Sequence, residues 1–135
     1  MKILAMIGVV ALGAVAASGS AQAAPDACPS GIYQIVRHSQ IKPGGTVAGF
    51  AKAIADHAAW YASHGYTRDG FTWGQAMTMD PTTHAPALKP GEYVTIHSNA
   101  NDVPKDKHDA GWDAYVAEYL ANSSILSTTI LCMAK

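Results

Sequence analysis

The stretch Thr46–Tyr66, TVAGFAKAIADHAAWYASHGY, decides how this chain is read. At about 100° per residue, Val47, Phe50, Ala51, Ile54, Ala58 and Tyr61 fall on one face, with Lys52, Asp56, Ala59 and Ser63 opposite. The spacing predicts one long amphipathic helix, with Thr46 as N-cap and Gly65 at the left-handed position that ends it. On one flank of the apolar stripe stand His57, Trp60 and His64, at the i, i+3, i+7 offsets that stack side chains one above another. Such a face requires a covering layer.

The flanking segments supply it. Upstream, Ile32–Gln40 (IYQIVRHSQ) is β-branched and aromatic and ends at the breaker Lys42-Pro43-Gly44-Gly45, which reads as strand one. Downstream, Phe71–Met79 alternates large with small residues and reads as strand two. Asp80–Gly91, with Pro81, Pro86 and Pro90, reads as an extended connection. In strand three, Glu92–Ser98, Val94 and Ile96 share one face, while Tyr93, Thr95 and His97 share the other. A second helix runs from about Asp109 to Asn122, with Trp112, Tyr115, Val116, Tyr119 and Leu120 as its stripe, and Ile125–Met133 is strand four. The order βαββαβ is the ferredoxin-like α+β arrangement: a four-stranded antiparallel sheet with two helices on one face.

With 135 residues, 49% of them apolar and 14% charged, the chain has room for one packed domain. A basic start at Lys2, an apolar run Ile3–Ala17 and the small-residue motif Ala21-Gln22-Ala23 mark residues 1–23 as a signal peptide, leaving 24–135 as a single domain. The product is expected to be periplasmic or secreted, with no stable membrane insertion after cleavage. Without Lys2 the 9 basic residues become 8 against 10 acidic ones, so no basic surface offers itself to nucleic acid. The two cysteines, Cys28 and Cys132, read as a disulfide in an oxidising compartment. The topology agrees, because strand four lies antiparallel beside strand one. The sheet face away from the helices also needs cover, and a homodimer through that face supplies it.

In element order, and in the segments IVRHSQIKPGG, FAKAIADHAAWYASHGY and YVAEYL, the chain resembles the dimeric α+β barrel superfamily. That group includes small monooxygenases of antibiotic biosynthesis, stress-responsive barrel proteins, cyclases, isomerases and haem-degrading enzymes. The resemblance implies sheet-to-sheet pairing and a ligand cavity between sheet and helices. It also implies chemistry that often needs no cofactor.

The candidate chemistry is acid–base. His57 and Tyr61 lie one turn apart on the helix, and His97 lies on the polar face of strand three. An imidazole titrates near working pH and a tyrosine donates to a developing oxyanion, so this trio suits proton transfer beside a carbonyl. The competing reading makes each an ordinary packing residue. Arg37 and His38, adjacent in a strand, face opposite sides, and whichever faces the helices is placed to grip a carboxylate or carbonyl. Trp73, Trp112 and Tyr115 are candidates for lining a pocket for a flat ligand. No cofactor is expected. No zinc-type spacing is present, and a metal or a haem on His57, His97 or His108 is the lesser alternative. The function expected is small-molecule binding, either with cofactor-free proton-transfer or oxygenation chemistry on an apolar or aromatic metabolite, or as a non-catalytic, stress-protective binding protein.

Overall fold

The computed structural model describes residues 28–100 and 102–134. The signal peptide expected over residues 1–23 lies outside them. Strand β1 (Ile32–Ile41) leads to helix α1 (Val47–Ser63), strands β2 (Gly70–Met79) and β3 (Pro86–Ser98), helix α2 (Ala110–Asn122) and strand β4 (Ser123–Met133). The four strands form one antiparallel sheet in the order β2-β3-β1-β4. The fold is therefore ferredoxin-like α+β. No helix among the described residues is long and apolar enough to cross a membrane.

Strand β3 begins at Pro86, six residues before the expected start at Glu92, and this corrects the reading of Asp80–Gly91 as a connection. Met77, Thr78 and Met79 pair with Leu88, Ala87 and Pro86, and the turn between them is closed by Asp80. Its carboxylate accepts from the N–H groups of Thr82 and Thr83 at 2.9 and 2.6 Å, while its own N–H donates to Ala85 O at 2.9 Å. Pairing of β3 with β1 starts only at Glu92, so Pro86 and Pro90 occupy a stretch with an open edge, where strand prolines are tolerated.

The buried stripe of α1 also differs from the expected one. It runs through Phe50, Ala53, Ile54, His57, Trp60 and Tyr61, whereas Val47 is 41% exposed. His57 and Trp60 are thus in the stripe rather than on its flank. The reason is that α1 is covered from two directions. Phe50 packs on Tyr93 of the sheet, and Trp60 and Tyr61 join Tyr115 of α2 in a second cluster.

The two helices are tied together at both ends. At one end Asn122 accepts the Thr46 N–H on its side-chain oxygen at 2.9 Å and the Lys42 N–H on its carbonyl at 3.1 Å. Gly45 and Gly49 are required there, since a Cβ on either would fall 2.2 or 2.3 Å from an Asn122 atom. At the other end Asp109, the N-cap of α2, accepts the Trp112 N–H at 2.9 Å, the Trp60 indole N–H at 2.7 Å and His64 Nε2 at 3.1 Å. These donors, the Trp112 N–H first, hold the Asp109 carboxyl down at about 2.

Strand β4 is largely exposed, with Ile125, Leu126 and Ile130 all open to solvent. What fixes β4 is its ladder to β1 and the Cys28–Cys132 disulfide, which spans 104 residues of sequence. A loop of that size corresponds to about 4–5 kcal/mol in the chain-entropy description. The bond agrees with an oxidising environment.

Gly49→Ala is expected to lose about 1–3 kcal/mol, because the new methyl meets the Asn122 amide. Asn122→Ala is expected to lose a similar amount by unpairing the Thr46 N–H. The double variant should lose less than the sum, since removing the amide opens the space the methyl needs. Urea unfolding of the three variants reads this coupling.

Candidate functional site

Strand alternation decides which residues of β1 meet the helices. Ile35, Arg37 and Ser39 point to the helix side, where they form the floor of a cavity of about 530 Å³. That volume suits a small organic molecule. The register places His97 beside Ile35 and Thr95 beside Arg37, both also on the floor. His57 and Tyr61 of α1 and Trp112, Tyr115 and Tyr119 of α2 form the walls.

The chemical centre is a buried imidazole–carboxylate pair. His97 Nε2 lies 2.6 Å from Asp69 Oδ1, with the two side chains 5% and 0% exposed. Burial holds the His97 pKa below its ordinary value, Asp69 opposes this, and the Arg37 charge adds to the lowering. The ring is therefore neutral near pH 7. Because the carboxylate can only accept, Nε2 carries the hydrogen, leaving Nδ1 as the basic nitrogen. This is the arrangement in which a carboxylate fixes a histidine tautomer and steadies the imidazolium that forms on proton uptake.

His57 lies beside it, with ring centroids 5.4 Å apart and planes at 78°. It is stacked on Tyr115 at 4.4 Å and shares a 3.3 Å hydrogen bond between Nδ1 and the Tyr119 hydroxyl. Burial first, then the nearby His97 and Arg37, push its pKa down to about 3. It is thus a much weaker base than a free histidine. Tyr61 meets His97 edge-on at 4.9 Å. Burial raises the pKa of Tyr61, Tyr115 and Tyr119, so all three are neutral hydroxyls. The Tyr115 hydroxyl is buried without a hydrogen-bond partner among the described residues.

Of the residues expected at a site, the fold brings together His57, His97, Tyr61, Arg37, Trp112 and Tyr115 around this cavity. His38 is not among them. It projects from the opposite sheet face, in a 2.6 Å ion-pair contact with Glu92 that lacks hydrogen-bond geometry. Trp73 also misses the cavity. It sits on edge strand β2, 42% exposed, packed on Phe50 and Tyr93 at 6.1 and 5.7 Å. His64 stacks on Trp60 and His108 on Trp112, at 4.0 and 3.7 Å. Among the described residues no three His, Cys, Asp or Glu side chains gather as a metal site.

Asp69 is the residue that sequence reading passes over. It precedes β2 by one position and shares the parity of Phe71, which pairs with His97. Its carboxylate is therefore diagonal to the imidazole on the same face, a relation visible only once the register is known.

One solved structure is similar to this chain. It is that of At3g17210 from Arabidopsis thaliana, 12% identical over 77% of this chain and 94% of that chain, with a TM-score of 0.44. No protein-family model matches the chain, and no curated protein gives a significant match.

The depressed His57 pKa has a stability consequence with a fixed sign. Unfolded, the ring titrates near 6.5; folded, near 3. Between those values the unfolded chain binds a proton that the folded chain refuses, so stability is intact above pH 6.5 and falls as pH drops toward 3. The loss from this group reaches on the order of 4 kcal/mol at the acid end. A His57→Phe variant should show a shallower acid limb in urea unfolding at pH 7, 5.5 and 4.

Proposed function

We propose that this protein is an exported, periplasmic or secreted, small-molecule-binding member of the dimeric α+β barrel group, acting by cofactor-free proton transfer on a small apolar or aromatic metabolite. The observation that carries the reading is the convergence, on one cavity of about 530 Å³, of the His97–Asp69 pair with Tyr61 and Arg37. In this scheme His97 Nδ1 takes a proton from a carbon next to a carbonyl, and Asp69 steadies the resulting imidazolium. The Tyr61 hydroxyl donates to the enolate oxygen, and Arg37 supplies a positive field. His57, with its low proton affinity, orients and excludes water through its stack on Tyr115.

The test is deuterium exchange. 2-Tetralone, an aromatic ketone with acidic α-hydrogens, is incubated in D2O with the protein, and label uptake is followed by NMR. Wild type should exceed buffer, and both His97→Gln and Asp69→Asn should reduce the excess about 100-fold or more. Binding of the ketone without any exchange would replace this reading with that of a non-catalytic binding protein, which the mainly aromatic cavity wall favours.

The homodimer belongs to the same proposal. The face that carries His38 also carries Val36, Val94 and Ile96, and no helix among the described residues covers it. Pairing of two such faces buries these residues and gives the His38–Glu92 contact a drier setting. Sedimentation should show a dimer for wild type and a folded monomer for Ile96→Asp.

A further inference from the structure

The cavity lining contains two cations and no acidic side chain. Arg37 and Lys42 are its only fixed charges, since none of its lining residues is Asp or Glu. Lys42 is already used, its Nζ donating to the Leu120 carbonyl near the end of α2. Arg37 has neither an ion-pair nor a hydrogen-bond partner among the described residues. The nearby acids are otherwise engaged. Asp69 is fully buried against His97, and Glu92 is on the far face with His38 and Lys89. Tyr115 lines the same space, and its hydroxyl is buried and unpartnered among the described residues.

A lone guanidinium on the floor of an aromatic-walled cavity is matched by a planar anion, which two parallel N–H groups grip at once. Aromatic rings on the walls select a flat, apolar body for the remainder of the ligand. Resting on the small-molecule role proposed above, we propose that the ligand of this cavity is an aromatic carboxylate, its charge held by Arg37 and its flat body packed among the aromatic rings of the walls.

The experiment compares two probes of one shape, 2-naphthoate and 2-naphthamide, titrated by calorimetry and Trp fluorescence into the disulfide-bonded protein. Wild type should bind the carboxylate at least about tenfold more tightly than the amide, the margin of one desolvated ion pair. Arg37→Met should erase that margin while leaving the amide affinity within about threefold. Arg37→Lys, which keeps the charge but loses the planar fork, should fall between. Arg37→Gln replaces the Met variant if near-ultraviolet circular dichroism shows that the latter has lost its packing. Equal affinity for both probes, or a carboxylate preference that survives removal of the guanidinium, overturns the proposal. If the amide alone binds, the charge assignment fails while the cavity stands as a binding site. If neither probe binds the folded wild type, the small-molecule reading of the cavity fails with it.

Discussion

The ties between the two helices set the rest of this structure. Asn122 anchors the start of α1 to the end of α2, and Asp109 anchors the end of α1 to the start of α2. With both ends tied, α2 is positioned by α1 rather than by the sheet below it. Phe50 and Tyr93 fasten α1 to the sheet. The cavity is the space enclosed by both helices and strands β1, β3 and β4.

Within that space the polar groups are ordered by what each can still accept or donate. Asp69 and His97 satisfy one another, and the cost of burying the carboxylate is offset by its hydrogen bond and by the orientation it imposes on the ring. His57 and Tyr119 satisfy one another in a neutral pair. Arg37 and Tyr115 are left over. Leftover buried donors are uncommon in packed interiors, where unpaired polar atoms are destabilising. The Tyr115 hydroxyl is such an atom, and the unpaired Arg37 guanidinium lines the same cavity.

The fold was legible because its signals are local. Thr46 caps α1 through a 2.9 Å bond from Gly49 N, Gly65 takes a positive φ of 87°, and strand alternation separates Arg37 from His38. The cysteine pairing followed from topology and compartment. Two things were not legible, for physical reasons. The Pro86–Gly91 half of β3 carries prolines that forbid a central strand, and only the tertiary arrangement shows that its β1-side edge is open. The Asp69–His97 pair depends on the β2–β3 register, to which a lone aspartate in a turn gives no periodic clue. Trp73 illustrates the converse, since a large aromatic side chain on an alternating strand points to the helix side without reaching the cavity. Parity gives the face but not the depth.

The lowered proton affinity of the histidines and the unpaired Arg37 are two sides of one electrostatic arrangement. The guanidinium field is among the influences that keep His57 and His97 neutral. An anion seated on Arg37 cancels that field, and reciprocity then requires that both rings become more basic when it is bound. At His97 this gain adds to the effect of Asp69, which already favours the protonated ring while the Arg37 charge opposes it. In the proposed scheme, a cavity holding an anion would carry a more basic His97 than an empty one. In that scheme the ligand's charge would both locate the molecule and raise the basicity of the nitrogen that takes its proton.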